Sequence, residues 1–207
     1  MRKGFFITFE GPEGCGKTTQ VKLLAGYLKA KGYKVRVTRE PGGTRIGQEI
    51  RQLLLNTKAK MDHLAEVFLF MADRREHVAE VVLPHLKKGY VVISDRYSDS
   101  TMAYQVGGRG LPRKMVKSLC DIASQGIVPN ITFLLDVPSE LGLKRVDSAR
   151  YVYDRFESEL LAFHRRVRKA FLNIAAKEKK RIKVIDTRIS IKEVQENITK
   201  IIDKELK

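Results

Sequence analysis

Cysteine is scarce in this chain: two in 207 residues, Cys15 and Cys120, with no C-x-x-C pair. That excludes a disulfide framework or a zinc site and makes reduced thiols the default. No apolar run approaches the ~18 residues a membrane-spanning helix needs. Residues 1–4 run straight into a strand-like segment, leaving no room for a secretory signal's apolar region and cleavage site, so a cytoplasmic protein is predicted. His63, His77, His85 and His164 have no spacing that gathers metal ligands, and all four are expected to face solvent. Internal repeats and low-complexity linkers are absent. Acidic residues are also few, 24 Asp and Glu against 40 Lys and Arg, for a net charge of +16. Half of that excess sits in residues 144–183, which carry 13 basic and 5 acidic residues. A basic surplus suits nucleic acid, a membrane surface or a small polyanion. Lys177, Lys179 and Lys180 read instead as a solvated helix face.

What is present is a regular alternation of strands and helices. The size suits one domain over 1–207. Strand-like runs occur at residues 5–9, 34–39, 90–93, 131–136 and 182–186. Helical patterns cover 45–55, a long stretch from a cap at Asp62 to about residue 88, 112–125, a helix opening at Pro138-Ser139, 157–180, and a last helix capped by the Ser190-x-x-Glu193 box. Leu64, Val67, Phe68, Met71, Val78 and Val82 form one stripe on the long helix, a core or helix–helix surface. Phe70 and Arg74, one turn apart, face elsewhere. Such alternation implies right-handed crossovers and a parallel sheet covered on both faces, with ligands at the carboxyl ends of the strands.

The chemistry starts at Gly11-Pro12-Glu13-Gly14-Cys15-Gly16-Lys17-Thr18, which reads G-x-x-x-x-G-K-[ST] between the first strand and a helix with Val21, Leu24, Ala25 and Leu28 apolar. In that context the glycines turn backbone N–H groups inward around a phosphate, and the helix N-terminus adds partial positive charge. Lys17 would reach the β- and γ-phosphates, and the Thr18 hydroxyl would sit on Mg²⁺. The predicted fold is therefore a P-loop NTPase, three-layer α/β/α with a five-stranded parallel sheet. With this loop present, the basic surplus points to a small polyanion.

Four motifs in order, the phosphate loop, Arg39-Glu40-Pro41-Gly42-Gly43-Thr44, Asp95-Arg96-Tyr97 and Asp154-Arg155-Phe156-Glu157, resemble the thymidylate kinase family over nearly the whole chain. Ser100-Thr101 with Tyr104-Gln105 is similar to its bacterial members. The resemblance implies transfer of the γ-phosphoryl of ATP to dTMP with Mg²⁺, in a cytoplasmic homodimer that needs neither nucleic acid nor membrane. It assigns ATP to residues 11–18 with Thr19 and Arg145, the latter against adenine. It assigns dTMP to Glu13, Arg39, Phe70, Arg74, Arg96, Ser100, Thr101, Tyr104 and Gln105, with Phe70 stacking on thymine and Arg74 donating to its O4. Tyr104 lies where a ribose 2′-hydroxyl would go. Asp95 holds Mg²⁺ through water or orients Lys17, and the metal set is Thr18, Asp95 and Glu157. Some members carry a catalytic arginine in the phosphate loop where this chain has Gly14. This chain is of the other type, which supplies the arginine from a lid, here residues 146–156. Arg150 is then the first choice for the transition-state cation and Arg155 the second, beside Lys17, Arg96 and Asp95 as catalytic residues. Phe156 stands where some members have Tyr.

Two other classes fit less well. A GTPase switch needs D-x-x-G and N-K-x-D segments, which are missing. A DNA-associated partition ATPase carries an extra lysine early in the loop, and Pro12 to Gly14 offers none. Within the kinases, a broader pyrimidine monophosphate kinase is the remaining alternative.

Overall fold

The computed structural model describes residues 4–56, 60–149 and 154–206. Five strands, β1 (Phe5–Glu10), β2 (Val35–Arg39), β3 (Val91–Asp95), β4 (Ile131–Asp136) and β5 (Ile182–Asp186), form one sheet in the order β2-β3-β1-β4-β5. Every pairing is parallel, with Phe9 opposite Asp95 and Phe133, and Arg39 also opposite Asp95. The predicted five-stranded parallel sheet is thus observed. β1, β3 and β4 are buried on both faces, as their continuous apolar runs require. On one face α1 (Lys17–Ala30) and α9 (Ile191–Glu205) bury Leu24, Leu28, Ile198 and Ile202 against Ile7, Phe9 and Phe133. On the other face α8 (Leu161–Lys177) packs against Leu134 and Ile182, and Val78 and Val82 pack against Phe6 and Val92, while α3 (His63–His77) and α6 (Arg113–Ser124) pack on each other. The capping box of Ser190 and Glu193 starts α9 as its spacing predicts. The other helices are α2 (Arg45–Leu55), α4 (Leu83–Lys87), α5 (Ser98–Thr101) and α7 (Ser139–Ala149).

Two expectations about the helices are corrected, and one helical stretch was not anticipated. The long helix from Asp62 is α3, a π-helical turn at Val78–Val82, then α4. Pro84 at the start of α4 has no N–H for the α-helical ladder, and a widened turn lies immediately before it. The helix anticipated from residue 157 begins at Leu161, because residues 154–159 form a separate hydrogen-bonded turn. Residues 98–108 have no apolar period, yet they are helical, as α5 and a π-helical segment, Met102–Gly108. The two glycines there admit α8: a Cβ at Gly107 would lie 2.3 Å from Ala170 Cβ, and one at Gly108 2.5 Å from the Phe163 ring. On the stripe of α3 and the π-turn, Val67, Met71, Val78 and Val82 are buried, whereas Phe68 is 53% exposed. Two of the histidines expected in solvent are buried, His77 between Glu40 and Thr38 and His164 on the inner face of α8.

Candidate active site

The carboxyl ends of β1, β2 and β3 open into a cavity of about 590 Å³. The phosphate loop forms one end and residues of α3 and the 102–108 segment form the other. Gly11, Gly14 and Gly16 have φ of 141°, 66° and 90°, values that side chains resist. At Gly14 there is a second reason: a Cβ would lie 2.0 Å from Gly142 O of α7, and a Cβ at Gly142 would lie 2.3 Å from Glu13 O. The loop and α7 are in backbone contact, so no arginine fits at position 14 without moving α7. Lys17 Nζ lies within the loop, donating to Gly11 O at 3.2 Å and Pro12 O at 2.8 Å, with Cys15 Sγ at 3.3 Å. Cys15 is buried, and burial raises its thiol above the usual range. Thr18 Oγ1 donates to Asp95 Oδ2 at 2.8 Å, so two of the three proposed metal-facing groups touch. The third, Glu157, lines the same cavity and accepts the Asp154 N–H on Oε2 at 2.9 Å. Thr19 is exposed at the mouth. Arg145 of α7 donates to Thr187 O at 2.9 Å and faces the loop at Gly14 O.

Arg96 is the hub of a hydrogen-bond network beside the phosphate loop. Its φ of 71° is rare for a residue with a side chain. The conformation is held by the Arg96 N–H on Phe9 O at 2.9 Å and by Ser94 Oγ on Arg96 O at 2.8 Å. Its guanidinium donates to Gly11 O, Ser100 Oγ, Glu13 Oε1 and Tyr104 Oη at 2.8 to 3.1 Å. Tyr104 Oη donates in turn to Glu13 Oε1 at 2.7 Å. Burial by itself would raise the Glu13 carboxyl, but the Arg96 and Lys17 charges and the Tyr104 hydroxyl outweigh it and hold it at about 2. Beneath the loop, Glu10 accepts from Tyr97 N and Ser100 Oγ, and burial with the nearby Asp99 charge pushes it up to about 8. Arg39, at the end of β2, is exposed and lines the cavity. Arg51 of α2 lines it as well, donating to Pro41 O at 3.0 Å. Sequence reasoning missed Arg51, whose only signal was a basic residue on a helix that follows the Pro41-Gly42-Gly43 break.

At the far end, Phe70, Arg74, Thr101 and Gln105 meet. Arg74 is 1% exposed. Its Nε donates to Glu40 Oε2 at 2.8 Å, Nη2 to Thr101 Oγ1 at 3.0 Å, and Nη1 contacts Cys120 Sγ at 3.4 Å. Those contacts use three of its five N–H donors, and Arg74 also lines the cavity. Glu40 also accepts from His77 Nδ1 at 2.7 Å, which is why that histidine is buried. Gln105 donates from Nε2 to Glu66 Oε1 at 2.8 Å. Phe70 packs on Phe156, ring centroids 6.0 Å apart, and Phe156 meets the Tyr104 ring edge-on at 5.8 Å.

The two arginines expected in the lid separate. Arg150 lies outside the described residues. Arg155 does not line the cavity: its Nε donates to Leu54 O at 2.9 Å, its Nη2 pairs with Glu66 at 2.6 Å, and its guanidinium lies over the Phe156 ring. The expectation that Arg155 serves as second catalytic cation therefore has no geometric support in this arrangement, because that charge is already neutralised by a buried carboxylate. Among the described residues no three His, Cys, Asp or Glu side chains gather as a metal-binding group, and no helix is long and apolar enough to cross a membrane.

Known proteins share this sequence pattern and fold. Residues 9–198 match the family model described as thymidylate kinase. A thymidylate kinase of Sulfurihydrogenibium sp. (strain YO3AOP1) is 49% identical over 196 residues, covering 94% of this chain and 95% of the relative. One of Carboxydothermus hydrogenoformans is 49% identical over 192 residues, 93% of each. The crystal structure of thymidylate kinase from Ehrlichia chaffeensis superposes with a TM-score of 0.79 at 36% identity, covering 97% of this chain and 99% of that one. Family model, relatives and solved structure agree over nearly the whole length, and the chain belongs to the thymidylate kinase family.

Proposed function

We propose that this chain transfers the γ-phosphoryl group of ATP to dTMP, giving dTDP for dTTP synthesis, inside the cavity described above. The observation that carries the reading is that one cavity joins Lys17 and the phosphate loop to Phe70, Arg74 and Gln105. Its two ends suit a donor phosphate chain and a nucleoside monophosphate meeting in line. Lys17 leaves its loop carbonyls for the β- and γ-phosphates. Arg96, Arg39 and Arg51 take the acceptor phosphate, offering paired donors that match its oxygens. Glu13, ionised well below neutral pH, holds Arg96 and the Tyr104 hydroxyl in place. Phe70 stacks on the base and the two remaining Arg74 donors face its O4. Arg145 covers the adenine, and Arg150 of the lid adds positive charge to the transferring group. A divalent ion such as Mg²⁺ suits the hydroxyl of Thr18 and the carboxylate of Asp95, hard oxygen donors in contact at 2.8 Å. When bound it neutralises charge developing on the phosphate oxygens. The protein works in the cytoplasm as a homodimer, and the exposed Leu53 and Phe68 on α2 and α3 form part of the surface between subunits.

A coupled assay of ADP release with ATP and Mg²⁺ against a panel of nucleoside monophosphates tests the reading. dTMP turns over fastest, dUMP more slowly and dCMP far behind. ATP turnover stimulated by DNA and indifferent to dTMP would replace the kinase with a DNA-associated ATPase. Light scattering on the eluted protein reads the oligomeric state.

A further inference from the structure

Behind the base end of the cavity lies a buried charge cluster that does not line it. Glu66 of α3 is 0% exposed. Its Oε1 accepts from Gln105 Nε2 at 2.8 Å, and its Oε2 pairs with Arg155 Nη2 at 2.6 Å. Arg109, just past the 102–108 segment, approaches both carboxylate oxygens at 3.4 Å and also pairs with Glu159. A buried carboxylate unmatched by partners is strongly unfavourable, and here two guanidiniums and an amide supply the match.

The consequence concerns Gln105, a residue that lines the cavity. A glutamine amide can face a ligand with its carbonyl or, after a flip, with its NH₂. A carboxylate accepts only, so Glu66 holds the NH₂ and turns the carbonyl oxygen toward the base. We propose that Glu66 is a specificity-determining positioning residue: it locks the Gln105 amide so that the cavity presents an acceptor to the N3–H of thymine and rejects the bare N3 of cytosine. This rests on the reading that Gln105 faces the base, and it adds a second discriminating contact to the donors of Arg74. Uracil shares the N3–H of thymine, so the lock separates dCMP from both dTMP and dUMP while leaving those two undistinguished. Arg155 and Arg109 act through Glu66, which gives the arginine of the 154–157 motif a place in base selection.

The test is kcat/KM for dTMP, dUMP and dCMP in wild type, Glu66→Gln, Gln105→Met and the double variant. Glutamine at 66 can donate as well as accept, so the Gln105 amide is free to flip. In Glu66→Gln the dTMP/dCMP ratio should fall roughly ten- to hundred-fold, the range set by mispairing one buried polar group. The dTMP/dUMP ratio should stay constant, and the fall should vanish in the Gln105→Met background. If both ratios move together, or neither moves, Glu66 is merely structural and the lock is wrong. If Gln105→Met leaves dTMP/dCMP unchanged, the reading of Gln105 as a base contact fails, and the lock falls with it. Should Glu66→Gln not fold, wild-type protein labelled with ¹⁵N-glutamine answers the same question. The Gln105 amide protons, assigned by their loss in Gln105→Met, should exchange slowly with solvent and keep their shifts when dTMP binds. Fast exchange or a large shift on adding dTMP would overturn the proposal.

Discussion

The two ends of the cavity are built on different principles. At the phosphate end the loop supplies backbone N–H groups and charge: Lys17 is held by two carbonyl oxygens and the Cys15 sulfur of its own loop, and Arg39 is exposed. At the end read here as binding the base, Arg74 is fixed by an ion pair with Glu40 and Gln105 by a hydrogen bond to Glu66, with the carboxylates 3% and 0% exposed. Phosphate is a symmetric, highly charged ligand that any converging donors bind. A base edge is read by the direction of a few hydrogen bonds, and direction needs a rigid frame.

Lys17→Ala should give the largest effect. Phosphoryl transfer should fall by at least about 10³-fold, because a charge aimed at the migrating group is lost, while the circular dichroism spectrum and melting temperature stay close to wild type. The lid arginines sharpen the contrast. Arg150→Ala should lower kcat by roughly 10²–10³ with little change in either KM. Arg155→Ala should leave kcat within a few-fold and instead lower stability by about 1–3 kcal/mol, since it strips one partner from buried Glu66. Kinetics and thermal melts on both variants decide between these patterns, and a kcat loss confined to Arg155→Ala would reverse the assignment.

The base end should respond in ratios. Phe70→Ala should weaken dTMP, dUMP and dCMP by a similar factor, about ten-fold, because stacking does not read the base edge. Arg74→Gln, which can donate or accept, should narrow the dTMP/dCMP gap; an unchanged ratio would mean the base O4 is read elsewhere.

The smallest effect is in acid. The Glu13 carboxyl, ordinarily near 4.5, is held at about 2 in the folded protein. A depressed carboxyl stabilises the fold above its unfolded value and loses that contribution as pH falls through the folded one, so the window runs from about pH 4.5 down to about 2. The contribution is at most about 3 kcal/mol, reduced by partial solvent access. Denaturant melts between pH 5 and 2.5 should show a shallower loss of stability in Glu13→Gln than in wild type.

The two ends also differed in how legible they were. The phosphate loop, the strands and their order of use follow from local patterns, because the loop's chemistry is written in eight consecutive residues. The site residues Phe70 and Arg74 were separable from the stripe of α3 by helical geometry alone. Residues 98–108 were not read as a helix, since their polar side chains face the cavity and their glycines serve α8, which erases the apolar period. The Glu66 cluster was invisible because its partners lie about 40 to 90 residues away in the chain and no spacing marks them. His77 was misplaced for the same reason, as its burial depends on Glu40, 37 positions earlier.

The contact between Gly14 and Gly142 restricts how this enzyme type can change over time. A side chain at either position meets the other segment's backbone within 2.3 Å, and backbone cannot yield as a flexible side chain does. An arginine therefore cannot enter the phosphate loop by a single substitution that leaves α7 in place, and α7 carries Arg145 against that same loop. If the transition-state charge comes from Arg150 as proposed, moving it to the loop requires the helix to shift first, through intermediates in which Arg145 is displaced. A chain with glycine at both positions is thus separated from one with arginine in its phosphate loop by a barrier in sequence space.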